Sequence, residues 1–436
     1  MRILINILFT LIALTGVALL AFLFVPIQRT PPQSKLAESW TPEQDQAEYA
    51  MRLADCAACH TEPGGVEFAG NSAIESPVGT IYSTNITPDD KTGIGGWSLD
   101  DFRAALYDGV RPDGSHLYPA MPYANFRNLT EEDIRALYTY FMKEVEPVEQ
   151  HTKSAEVRFP FNQTWGLRAW KWVALDEAGF TAGSSDPVIA RGEYIVEGPG
   201  HCGACHTPRN AAMAQAALDT SDQAFLSGGE IAGWTAPPLR GAESAIRGWS
   251  AEDIAAILGT GRNAHAALNG EMQLVVRDST QYLKDKDLEA IGTYLVSLND
   301  KAAPPANEDA TETERLLASA DPDMPLGPRL YLDNCNACHF VDGLGADEVF
   351  PELNGSSLVN AESPTGLISM ILAGSELPST AKRPYRLRMP GFGDRLSDKE
   401  IAELASFVRS AWRNDATPVS AETVSNLRGA AQTTVH

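Results

Sequence analysis

Cys56-Ala-Ala-Cys59-His60 recurs as Cys202-Gly-Ala-Cys205-His206 and again as Cys335-Asn-Ala-Cys338-His339, and these three pentapeptides hold all six cysteines of the 436-residue chain. Two cysteines one helical turn apart can set their sulfurs against neighbouring edges of one flat macrocycle. The histidine that follows then points its ring at the metal in the centre. Cys-x-x-Cys-His therefore reads as covalent haem attachment through thioether bonds, with His60, His206 and His339 as proximal iron ligands. A single copy could equally be a zinc ligand pair or a thioredoxin-like redox pair. Three copies, each with its histidine and each opening a repeated unit, favour three haem c groups.

The histidines lie 146 and 133 residues apart (60 to 206, 206 to 339), and other features repeat in step. Trp97-Ser-Leu-Asp-Asp-Phe-Arg-Ala-Ala-Leu-Tyr-Asp-Gly109 parallels Trp249-Ser-Ala-Glu-Asp-Ile-Ala-Ala-Ile-Leu-Gly-Thr-Gly261. In both, serine with aspartate three residues later predicts a capped helix start, and glycine predicts the stop. A third pattern starts at Leu129, Leu283 and Leu396, with apolar residues at helical spacing through Phe141, Leu295 and Val408. These are read as amphipathic helices closing each unit. The expected fold is mostly α, three tandem helical domains, with weak strand signals.

A sixth iron ligand should follow within each unit, and methionine thioether suits low-spin haem iron. Met121 lies in Leu117-Tyr-Pro-Ala-Met-Pro-Tyr123 and Met389 in Leu387-Arg-Met-Pro-Gly391, each just before a closing helix. The neighbouring proline keeps each loop extended. Met272, in Gly270-Glu-Met-Gln-Leu-Val-Val276, occupies the matching place without the proline; His265 is its rival, as His116 is for Met121. Met51, Met142, Met213, Met324 and Met370 read as core filler. Pro237 and Pro351, following His206 and His339, could offer a loop carbonyl to the other ring nitrogen of each histidine.

Around these units, residues 1–26 carry Arg2 and an uncharged apolar run from Ile3 to Val25, about 34 Å long as a helix. That length predicts a transmembrane anchor, with a cleaved signal as the alternative. Either way Arg2 would stay inside and the rest would be exported. Residues 27–40 read as a tether, 41–146 as domain 1, 147–187 as a linker strap, and 188–300 as domain 2. Residues 301–322 read as a second linker, 323–414 as domain 3, and 415–436 as a polar, disordered tail. The strap, with Trp165, Trp170 and Trp172, could hold against a domain or partner, or pack as a short helix on its own domain. The net charge of -23 argues against nucleic acid as a partner.

Pro77-Val-Gly-Thr-Ile-Tyr-Ser-Thr-Asn-Ile-Thr-Pro-Asp89, Gly93-Ile-Gly-Gly-Trp97 and Arg111-Pro-Asp-Gly-Ser-His-Leu-Tyr-Pro-Ala-Met-Pro122 are far more specific than the haem motif. With them, residues 45–415 resemble the tri-haem cytochrome c subunit of membrane-bound alcohol, sugar and aldehyde dehydrogenases of acetic-acid-type bacteria. The resemblance implies three class I cytochrome c domains with axial pairs His60/Met121, His206/Met272 and His339/Met389. It implies electrons taken from a catalytic subunit (quinoprotein, flavoprotein or molybdopterin type) and passed to ubiquinone, at the inner membrane with the haem domains facing the periplasm. No nucleotide loop or nucleophile triad is visible, so the chain is not read as an enzyme alone. The other readings are a free-standing shuttle or oxidase subunit feeding a terminal oxidase, and a cytochrome c peroxidase.

Overall fold

The computed structural model describes residues 2–25, 27–43, 45–231, 233–299 and 308–433. Three hydrophobic clusters organise them, one around each haem motif. The first gathers Met51, Phe68, Tyr107, Ile134, Leu137 and Phe141; the second gathers Tyr194, Val196, Phe225, Leu288 and Leu295; the third gathers Tyr331, Ile368, Ile401, Leu404 and Trp412.

Each cluster is clamped between an opening helix, which leads into the motif, and a closing helix. The pairs are Gln46–Leu53 with Glu131–Lys143, Pro187–Glu197 with Asp285–Ser297, and Leu326–Asn334 with Asp398–Ser410. The helices cross closely. A Cβ added at Gly192 would sit 2.0 Å from Ala290 O, and one at Gly327 would sit 2.8 Å from Glu403 O. Only glycine allows backbones this near. The serine caps form as the sequence indicates: Ser98 with Asp101 and Ser250 with Asp253 make reciprocal capping boxes, and Ser397 does the same with Glu400. Gly109 and Gly261 terminate the first two of these helices in left-handed conformation. Strands are short. A three-stranded sheet joins Ala73–Ser76, Gly79–Tyr82 and Glu156–Val157, and two-stranded ribbons serve the other units.

The units share buried polar contacts. Tyr49 of the first unit donates to Asp287 Oδ2 at 2.5 Å, while Arg191 holds the same carboxylate at 3.0 and 2.7 Å. Between the second and third, Glu348 N donates to Asn263 O and Glu352 N to His265 O, each at 3.1 Å. The second unit therefore touches both others.

Three expectations are corrected. The transmembrane helix over residues 1–26 is the first: among the described residues, no helix is long and apolar enough to cross a membrane. The second is the linker at 301–322. Residues 301–307 lie outside the described residues, but Glu308–Ser319 is a helix whose Leu317 packs into the third cluster and whose Thr313 hydroxyl accepts from Trp412 N at 3.0 Å. The third is the tail, where Ala421–Thr433 is helical and buries Val424 in the same cluster.

One buried carboxylate makes stability pH-dependent. Glu197 accepts from Tyr294 Oη at 2.7 Å, and burial raises its pKa from 4.5 to about 7. A raised folded-state pKa gives stability that is complete below about pH 4.5 and is lost as pH rises through 7. Glu197→Gln should therefore be more stable than wild type at pH 8 by roughly 2–3 kcal/mol, relative to their difference at pH 4.5. Denaturant melts that show the same difference at both pH values would reject this assignment.

Candidate haem-attachment sites

The three motifs form short helical turns, Cys56–His60, Gly203–His206 and Asn336–His339, each entered from an opening helix. Their histidines are held in the same way. His60 Nδ1 lies 2.7 Å from Thr84 O, His206 Nδ1 lies 2.8 Å from Pro237 O, and His339 Nδ1 lies 3.0 Å from Pro351 O. A carbonyl can only accept, so each Nδ1 carries the proton and each Nε2 keeps its lone pair. Burial also lowers the pKa of all three rings, which favours the neutral, ligating form.

The main chain repeats as well. His60 O accepts from Gly70 N at 2.8 Å, His206 O from Gly228 N at 2.8 Å and His339 O from Gly345 N at 3.4 Å. All three glycines have positive φ, of 78°, 98° and 65°. At Gly70 the need is twofold, because an added Cβ would also lie 2.6 Å from Thr84 C, the carbonyl carbon that His60 uses. Pro237 and Pro351 are readable from the sequence as residues whose carbonyls accept from the rings. Thr84 was missed, although it sits inside the stretch Pro77–Asp89; Asn85 anchors that stretch through Nδ2 to Val148 O at 2.8 Å.

The six cysteines are unpaired thiols. Burial pushes Cys59, Cys202 and Cys335 up to about 12 and raises Cys56 and Cys205. Cys59 nevertheless keeps an exposed surface. Unbridged thiols beside a neutral imidazole whose Nε2 keeps its lone pair fit a covalently attached haem.

Met121, Met272 and Met389 are all half-buried. Met121 packs with Cys56 on the first cluster, and Met389 packs with Cys335 on the third. Met121 also lines a small cavity with Tyr123, Trp170, Arg209 and Gln215. Met272 is placed differently. It opens the helix Met272–Asp278, which packs against Cys56–His60 of the first unit, and Glu271 lies near enough to oppose ionisation of both Cys59 and Cys205. The rival histidines are engaged elsewhere. His116 Nδ1 accepts from Lys171 Nζ at 3.0 Å. His265 stacks on Trp249 and has Nδ1 3.1 Å from Glu352 Oε1. The strap spans both units: Glu156–Val157 joins the first unit's sheet, and Trp170 Nε1 donates to Ala212 O of the second at 2.8 Å.

Residues 325–412 match the cytochrome c family model. The chain is 43% identical over 392 residues to the cytochrome c subunit of a quinone-type alcohol dehydrogenase from Gluconobacter oxydans, covering 88% of this chain and 81% of that one. It is 43% identical over 393 residues to the gluconate 2-dehydrogenase cytochrome c subunit of Pantoea cypripedii (88% and 89%), and 38% over 440 residues to the fructose dehydrogenase cytochrome subunit of Gluconobacter japonicus (95% and 88%). The chain belongs to the family of dehydrogenase cytochrome c subunits. In this cytochrome subunit the family model falls on the third unit, whose opening helix, motif and closing helix have counterparts in the other two.

Gly70 offers a direct test of the histidine anchor. Gly70→Ala should cost the cytochrome subunit about one haem per chain, because the new methyl displaces the Thr84 carbonyl. Gly96→Ala, with nothing within 4 Å of its added Cβ, should keep full haem content. Pyridine haemochrome assays normalised to protein decide it, and equal haem content in both variants would refute the anchor's importance.

Proposed function

We propose that this chain binds three haems c and carries electrons from a catalytic dehydrogenase subunit to ubiquinone. Haem iron, when bound, supplies one-electron transfer by alternating between its ferrous and ferric forms. The chain's own residues do the rest. Cys56 and Cys59, Cys202 and Cys205, and Cys335 and Cys338 fix the macrocycles covalently. His60, His206 and His339 present Nε2 to iron, oriented by Thr84, Pro237 and Pro351. Met121, Met272 and Met389 would each hold a haem iron through a thioether, a ligand that raises the potential.

The observation that carries this reading is the threefold repetition of one arrangement: unpaired thiols, a neutral imidazole and a backbone carbonyl on its Nδ1. Family membership supports the catalytic partner, which would oxidise an alcohol, aldehyde or sugar with a quinone, flavin or molybdopterin cofactor. Direct contacts from the first unit to the second and from the second to the third suit stepwise passage. We place the complex at the bacterial inner membrane, with the haem units facing the periplasm.

Met389→Ala tests the ligand assignment. It should lower one midpoint potential and open that iron to carbon monoxide. A redox titration identical to wild type, with no gas binding, would remove Met389 from the iron.

A further inference from the structure

The loops that present Met272 and Met389 are bonded to each other. Gln273, next to Met272, donates from Nε2 to Ser375 Oγ at 3.2 Å and to Leu268 O at 3.1 Å. Ser375 Oγ in turn donates to Asn269 Oδ1 at 2.9 Å. Ser375 is also the register partner of Met389 in the ribbon formed by Gly374–Glu376 and Arg388–Pro390. The Ser375 hydroxyl thus spends its one proton on Asn269 and accepts from Gln273, which fixes its orientation. Asn269, Gln273 and Ser375 are all half-buried, so water competes weakly for these bonds.

Neither presenting element is self-supporting. A two-stranded ribbon of three residues a side is marginal alone. The seven-residue helix Met272–Asp278 has no side-chain cap at its N-terminus, where Met272 sits. The bridge ties the two elements together at one hydroxyl.

We propose that Ser375 is a positioning residue shared by two haem sites, holding the strand that presents Met389 and, through Gln273, the helical turn that presents Met272. This rests on the reading of Met272 and Met389 as sulfur ligands. The two irons would then be coupled mechanically, so that loosening one methionine loop loosens the other. The residue does not touch either iron; it acts through the loops.

The test uses the full-length, haem-loaded chain. Ser375→Ala should keep its haem content but weaken the methionine-to-iron charge-transfer band of two haems. Two haems of the reduced protein should also bind carbon monoxide at least tenfold faster. Ser375→Thr, which keeps the hydroxyl, should restore both signals. With Met389→Leu already in place, Ser375→Ala should still accelerate gas binding at the second unit's haem. If Ser375→Ala fails to accumulate with haem, Gln273→Leu is read instead, and it should speed gas binding at both haems. An effect confined to one haem, or none, overturns the bridge. Met272→Leu and Met389→Leu separate the two claims: each should abolish one charge-transfer band. Bands that persist in either would overturn the ligand reading, and the bridge with it.

Discussion

Everything in this molecule is arranged around an imidazole N–H given to a backbone carbonyl. The bond fixes the tautomer and the plane of each motif histidine, and so decides which nitrogen is left to meet iron. His60, His206 and His339 reach it through Thr84, Pro237 and Pro351, residues on quite different loops. The loops differ in length, yet each returns a positive-φ glycine to the histidine's own carbonyl. The chain varies the excursion and keeps the end point. The clamped helix pairs around each cluster supply the rigid base that such a ligand needs.

Between units the structure uses polar bonds as well as apolar packing, with Leu53 of the first unit lying in the second cluster. Asp287, buried and held by Arg191 and Tyr49, joins the first two units. Backbone hydrogen bonds at Asn263 and His265 join the second to the third. Such contacts are directional, so they fix the separation of the haem sites as well as holding the units together. The first and second motifs lie close together: Cys205 and Glu271 both oppose ionisation of Cys59, Glu271 also opposes that of Cys205, and the His201 ring bonds to Ala54. The helix Met272–Asp278 lies at this junction and, through Gln273, also reaches the third unit.

The repeats, the serine caps and the closing helices could be read from sequence because each is local: a spacing, a cap three residues from its partner, an apolar stripe. The carbonyls of Pro237 and Pro351 were legible because proline marks an extended turn. Thr84 carries no such mark, and the signal that could have found it is Gly70, whose left-handed backbone lets that strand approach. The helices at Glu308–Ser319 and Ala421–Thr433 were hidden by polar composition. They are secured by tertiary contacts of a few residues, Leu317 in one and Val424, Leu427 and Arg428 in the other, which periodicity barely registers. Met272's packing against the first unit's motif is wholly tertiary and had no sequence signature. The N-terminal run erred in the opposite direction, since apolar length alone suggested a membrane span that the structure does not bear out.

The most direct measurement is the intact mass of the purified chain, taken with an acid–organic extraction of the same sample. The account requires a mass exceeding the polypeptide by three haem groups, with colour staying in the protein fraction. A mass equal to the bare polypeptide, or haem passing into the organic layer, would contradict it.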